Sequence, residues 1–167
     1  FFANFLDGKH SEKLASRTFA LVGEPGLGKT YLMERLLCAV QLPIIFAGYA
    51  PVRHPQLVSC MTLKEVIAKA SEFKKCLIAL DDVDYLTKKN SILDVEENDR
   101  KALMNILELV TGDEAKAFVC TANSMYVFDE ALRDRIEVKI EMGLPNESSK
   151  LCYLTTEFQS IINARYL

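Results

Sequence analysis

"TFALVGEPGLGKTYLMERLLCAV", residues 18–40, decides the fold. "TFALV" is a short apolar run of strand type, and "TYLMERLLCAV" carries apolar residues at helical spacing. Between them, three glycines and a proline fall within Gly23 to Gly28. An ordinary strand-to-helix turn needs fewer. Gly23, Gly28, Lys29 and Thr30 fit the spacing G-x-x-x-x-G-K-[ST]. Glycines let the backbone curl until successive N–H groups point inward and cradle phosphate oxygens. A helix starting near Lys29 adds the positive end of its dipole. On this reading the Lys29 ammonium neutralises the β- and γ-phosphates, and the Thr30 hydroxyl is a ligand for Mg2+. The expected nucleotide-binding segment is Gly23, Glu24, Pro25, Gly26, Leu27, Gly28, Lys29 and Thr30, with Tyr31 directly behind it.

Four more strand-like runs lie beyond this stretch: "PIIFAG" (43–48), "CLIALD" (76–81), "AFVCTA" (117–122) and "IEVKIEM" (136–142). The first four of the five runs are almost continuously apolar, as strands buried on both faces should be. Helical patterns separate them. "TLKEVIAKASEF" opens with Thr62 and Glu65 in a capping-box arrangement. "NDRKALMNILELVTG" opens on Asn98 or Asp99 as a cap and ends at Gly112. Strands alternating with helices predict an α/β domain with a parallel, doubly wound sheet. The polar stretch 86–99 reads as a mobile surface loop. Pro145 marks a boundary, and the segment behind it places Leu151, Leu154, Phe158, Ile161 and Ile162 on roughly one helical face. That helix is expected to pack on its own domain.

The bulk numbers exclude several classes. At 167 residues the chain has the size of one domain. Half of it is apolar and 26% charged, an ordinary soluble composition. A net charge of -3 gives no electrostatic reason to expect nucleic-acid binding. The basic pairs Lys74-Lys75 and Lys88-Lys89 read as solvated surface. Five cysteines lack any C-x-x-C spacing, which points to a reducing compartment, the cytoplasm or another. His10 and His54 lie far apart and neither reads as a ligand. No apolar stretch reaches the ~18 residues of a membrane helix, and no signal peptide is expected. The chain opens on Phe1, as a piece of a longer protein does.

A phosphate cradle needs a second, carboxylate-bearing strand to hold the metal. "CLIALDDVDYL" supplies it. Asp81 falls at the carboxyl end of a buried strand, on the sheet edge where ligands bind, and is assigned to Mg2+ through a water. Asp82 stands where a base polarises an attacking water. Helix capping is the plainer reading for Asp84 and the competing one for Asp82.

"GEPGLGKT" (23–30), "LIALDDVD" (77–84), "AFVCTANS" (117–124) and "DEALRDRIEVKIEMGLPN" (129–146) come in the order and approximate spacing of the AAA+ ATPases. The chain resembles that family from about residue 15 to 155. The resemblance implies a P-loop NTPase three-layer sandwich whose five-stranded parallel sheet runs 5-1-4-3-2. It further implies ATP with Mg2+ as cofactors and a hexamer-type ring of like or related subunits. Residues 1–145 become the nucleotide-binding core and 146–167 the start of a helical lid. By position, Asn123 resembles the polar sensor that orients the attacking water. Arg133 and Arg135 lie where the family keeps arginines that reach a neighbouring subunit's ATP, a role that can be worth ~10³ or more in rate. Pairing with Asp134 or Glu137 is the local alternative, and the spacing leaves open which arginine is the finger.

The chain also departs from the family. Asp81-Asp82 stands where Asp-Glu is usual, so the second carboxylate is a methylene short. A shortfall of about an ångström can cost ~10²-fold in rate, which predicts slow hydrolysis. "ALRDRIE" lacks the residues that normally separate the two arginines. "GYAPVRHPQLVSC" (48–60) lacks the aromatic-apolar-glycine signature of a polypeptide-gripping pore loop, although Tyr49 can substitute. Only a truncated lid follows Pro145. Two functions remain. One is an ATPase that remodels a protein partner; the other is a nucleotide-gated assembly module with little hydrolysis. A P-loop kinase has no use for the sensor and arginine segments.

Overall fold

The computed structural model describes residues 17–48, 54–84, 93–112, 115–128 and 130–165. Six parallel strands form one sheet: β1 (Thr18–Val22), β2 (Ile44–Ala47), β3 (Leu57–Cys60), β4 (Lys75–Leu80), β5 (Ala115–Ala122) and β6 (Val138–Glu141). Their order is β3-β2-β4-β5-β1-β6. Five of them are the runs read from the sequence, in the expected order. The sixth, β3, corrects the five-strand expectation by extending the β2 edge in register from Ile44↔Leu57 to Ala47↔Cys60. This strand is only four residues long, and of these only Cys60 is buried. It therefore lacks the apolar run that marks an interior strand.

Residue alternation across the sheet divides the core into two. Phe19 and Leu21 of β1 face one side, with Met33 and Leu37 of α1 (Lys29–Ala39). Ala20 and Val22 face the other, as the two-residue strand period requires. There they meet Val66 of α2 (Leu63–Glu72), Ile106 and Val110 of α3 (Leu93–Thr111), and Leu132 of α4 (Glu130–Arg135). One helix below the sheet and three above it make the three-layer sandwich.

Local chemistry sets the helix ends. The Thr62 hydroxyl accepts from Glu65 N at 3.2 Å, while Glu65 Oε2 accepts from Met61 N at 2.8 Å. This is the expected capping box, with the glutamate reaching one residue further back. The α3 helix begins at Leu93, not at Asn98 or Asp99, so part of the expected loop is helical. At its other end, Arg17 donates to the carbonyls of Thr111 and Gly112 and does the work of a C-cap.

Behind Pro145, α5 (Glu147–Arg165) starts on Asn146, whose Oδ1 accepts from Ser149 N at 2.8 Å. The expectation that this helix packs on its own domain is not met among the described residues. Leu151 is 67% exposed, Leu154 51% and Phe158 62%. Gly143 to Pro145 carry the chain past the end of β6, and Asn146 begins a new helix away from the sheet. No described helix is long and apolar enough to cross a membrane. Tyr49 and the Lys88-Lys89 pair lie outside the described residues.

Candidate functional site

The glycine-rich loop leaves the carboxyl end of β1 and hands over to α1 at Gly28. Gly28 has φ 84° and ψ 20°, a left-handed geometry that favours glycine, and no side chain caps the helix it precedes. The first amides of a helix have no partners within it. At α1 they are left to an incoming anion, which the helix dipole also favours.

Lys29 is buried, and its ammonium donates to Gly23 O at 2.6 Å, Glu24 O at 2.9 Å and Asn123 Oδ1 at 2.9 Å. An ammonium has three protons, so all are used. A phosphate entering the loop must compete for at least one of them.

Next to this lies the acidic motif. Asp81 is 4% exposed, and its Oδ1 accepts from Thr30 Oγ1 at 2.9 Å and from Thr121 Oγ1 at 2.7 Å. Asp82 turns left-handed at φ 53°. Its amide donates to Thr121 Oγ1 at 2.7 Å, and its Oδ1 lies 3.5 Å from Asn123 Nδ2. Asp84, read from the sequence as a helix cap, reaches across to β5, where its Oδ2 accepts from the Asn123 backbone amide at 2.6 Å. The end of β4 thus holds the exit of β5, and with it Asn123.

Beside these groups lies a cavity of about 530 Å³ lined by Pro25, Gly26, Gly28, Lys29, Thr30, Tyr31, Asp82 and Asn123. Tyr31 stands 57% exposed, with the Arg35 guanidinium 5.1 Å above its ring. Gly23, Glu24 and Leu27 line a second cavity of about 550 Å³ on the other side of the loop. Glu34 and Thr121 also line the first cavity, and sequence reasoning did not reach either. For Thr121 there was a signal, a lone hydroxyl in the otherwise apolar run "AFVCTA". Glu34 gave none.

The two arginines part company. Arg133 lines the second cavity beside Asn123 and Glu141, and its buried Nε has no hydrogen-bond partner among the described residues. Arg135 faces α3, donating from Nη1 to Ala131 O at 3.0 Å with Nη2 4.0 Å from Glu108 Oε1. It lines neither cavity.

The donor set fits a hard divalent cation. Around Asp81 the side-chain ligand atoms on offer are carboxylate and hydroxyl oxygens. Among the described residues no three His, Cys, Asp or Glu side chains gather into a metal cage. Mg2+ asks for no such cage; one or two carboxylates plus substrate phosphates suffice.

Comparison with known proteins agrees with this architecture. The chain is 25% identical over 150 residues to a putative 26S proteasome regulatory subunit homolog of Methanocaldococcus jannaschii, covering 82% of this chain and 38% of that protein. It is 30% identical over 141 residues to the ATPase family gene 2 protein of Schizosaccharomyces pombe, covering 81% and 17%. The chain therefore spans well under half the length of these relatives. In fold it matches the structure of C. elegans PCH-2 with a TM-score of 0.62 at 14% identity, over 98% of this chain and 45% of that one. The family model for the ATPase family associated with various cellular activities matches residues 19–144. That match runs from β1 through the loop, the acidic motif and the arginine segment, and the chain belongs to the AAA family.

Proposed function

We propose that this chain is the nucleotide-binding core of an ATPase that binds ATP with Mg2+, hydrolyses it slowly within an oligomeric ring, and so remodels a protein partner. One observation carries the reading. Lys29, Thr30, Asp82 and Asn123 come from three separate parts of the chain and line one cavity beside an uncapped helix start, with Asp81 hydrogen-bonded to Thr30 at its edge.

Each residue has a role in this reading. The amides at the start of α1 bind phosphate oxygens. Lys29 exchanges its loop carbonyls for the β/γ-phosphates. Thr30 and Asp81 hold Mg2+, which when bound supplies charge stabilisation for the transferred phosphoryl group. Asp82 accepts a proton from the attacking water, and Asn123 keeps that water and the carboxylate in line. Arg135 is the arm that reaches a neighbouring subunit, because its side chain lines neither cavity of its own chain. Arg133 serves its own chain beside Asn123. Residues 146–167 begin a lid.

A second reading, a nucleotide-gated assembly module, is favoured by the short Asp82 side chain, 3.5 Å from its sensor partner. The ATPase rate measured against protein concentration separates the two. For a ring with trans arginines, specific activity should rise steeply as subunits assemble, and Arg135→Ala should remove the rise while sparing ATP binding. Flat, near-zero turnover over the whole range favours the assembly module. No ATP binding at all rejects both.

A further inference from the structure

Thr121 joins the two halves of the acidic motif. It is buried within β5 at 1% exposure. Its hydroxyl donates to Asp81 Oδ1 at 2.7 Å and accepts from the Asp82 amide at 2.7 Å. A backbone amide can only donate, and a hydroxyl has a single proton. The relay therefore has one direction, from Asp82 N–H through Thr121 O–H to the Asp81 carboxylate.

Two consequences follow at the site. Thr30 and Thr121 both end on Oδ1 of Asp81, which fixes the rotation of that carboxylate and leaves Oδ2 for a metal-bound water. The same hydroxyl holds the amide of Asp82, which among the described residues is the one non-glycine residue at positive φ. A left-handed aspartate persists only where its surroundings over-determine it. Without the hydroxyl the Asp82 amide loses this anchor, and a relaxation toward right-handed geometry would swing its carboxylate away from Asn123. Packing alone does not call for this residue, since valine fills the same volume and a buried hydroxyl is costly unless bonded.

We propose that Thr121 is a positioning residue for hydrolysis, tying the carboxylate that faces the metal to the backbone that aims Asp82. The inference rests on the ATPase reading above. Thr121→Val and Thr121→Ser are compared with the wild-type chain in steady-state ATP hydrolysis across a Mg2+ titration. Binding of a fluorescent ATP analogue is followed in parallel in EDTA. Thr121→Val should lose about 10²-fold in kcat, the scale of an ångström of misplacement, and need several-fold more Mg2+ for half-maximal rate. Its nucleotide affinity in EDTA should be unchanged. Thr121→Ser should recover most of the rate and the Mg2+ dependence.

A Thr121→Val protein with wild-type kcat and Mg2+ dependence overturns the inference. So does a serine variant as impaired as the valine one, or a loss of affinity in EDTA that matches the loss of rate. Should Thr121→Val not fold, Thr121→Cys keeps the volume with a weaker donor and should show the same pattern at smaller amplitude. A wild-type chain that neither binds nor hydrolyses ATP rejects the ATPase reading and this inference with it. An active wild type with an indistinguishable valine variant rejects this inference alone.

Discussion

Lys29 and Asn123 share a hydrogen bond of 2.9 Å, from the lysine ammonium to the amide oxygen. Lysine has no acceptor, so the oxygen of Asn123 must face it and the Nδ2 group turns toward Asp82. The Asn123 amide thus stands between the cation proposed to bind phosphate and the proposed base. Asn123→Asp should replace this bond with a charged one and hold Lys29 back from the phosphates. A charge-assisted bond worth about 1.5–3 kcal/mol corresponds to roughly 10- to 10²-fold weaker ATP binding. Asn123→Ala should leave binding near wild type and reduce kcat. Titration with a fluorescent ATP analogue beside turnover measurements checks both. Equal binding by the two variants would contradict the bridging role.

Asp82 invites a pair of substitutions. Lengthening it in Asp82→Glu restores the missing methylene and should raise turnover, by up to about 10²-fold if reach is the limit. Unchanged or lower turnover would mean that Asp82 is not the base. In Asp82→Gly the left-handed turn loses its strain, about 1–2 kcal/mol for an L-residue, which offsets the added freedom of the unfolded chain. Thermal melting should therefore show no loss of stability while hydrolysis disappears.

Gly48 lies where β2 ends, against Asp81. A Cβ added there would come within 2.6 Å of Asp81 Cβ. Gly48→Ala should cost about 1–3 kcal/mol as an overpacked contact, and should displace the carboxylate assigned to Mg2+. The expected signature is a raised Mg2+ requirement for hydrolysis with ATP binding in EDTA intact. An unshifted Mg2+ profile would show that Asp81 absorbs the contact without moving.

The cysteines give a check on the core that is independent of nucleotide. Cys60, Cys76 and Cys120 are buried, whereas Cys38 and Cys152 are exposed. Burial pushes the thiols of Cys60, Cys76 and Cys120 above their ordinary value of 9.0. Folded values above unfolded ones mean that this contribution to stability is complete below pH 9 and is lost as pH climbs through the folded values. A thiol reagent on native protein at pH 8 should label two sites quickly and the other three only after denaturation. Stability should erode on the alkaline side of pH 9. Fast labelling of all five would contradict the packing of the two core layers.

Much of this was legible in the sequence because buried parallel strands and a phosphate loop both write strong local patterns. "TFALV", "LIALD" and "AFVCTA" are apolar without interruption, so their place in the sheet interior could be read directly. The edge strand β3 could not, since Leu57, Val58 and Ser59 are not fully buried and carry no such pattern. The start of α3 was hidden in a polar stretch that serves a helix N-terminus as well as it serves a loop. At the site, motif spacing found Lys29, Thr30, Asp81 and Asn123. Thr121 was missed because its importance lies in two hydrogen bonds across strands, which no spacing encodes. Arg133 and Arg135 are two residues apart, and their division of labour depends on which way each side chain leaves a six-residue helix.

The bare flank of α5 bears on how the proposed ATPase must be assayed. Phe158, Leu151 and Leu154 give that helix a greasy stripe, and stripes of this kind glue molecules together without regard to geometry. If the proposed ring forms, raising the protein concentration will bring subunits into contact by two routes, and only the ring would deliver an arginine to a neighbour. Changing the three side chains together to serine should abolish the adhesive route. Whatever cooperative gain in turnover survives in that triple variant can be credited to the ring.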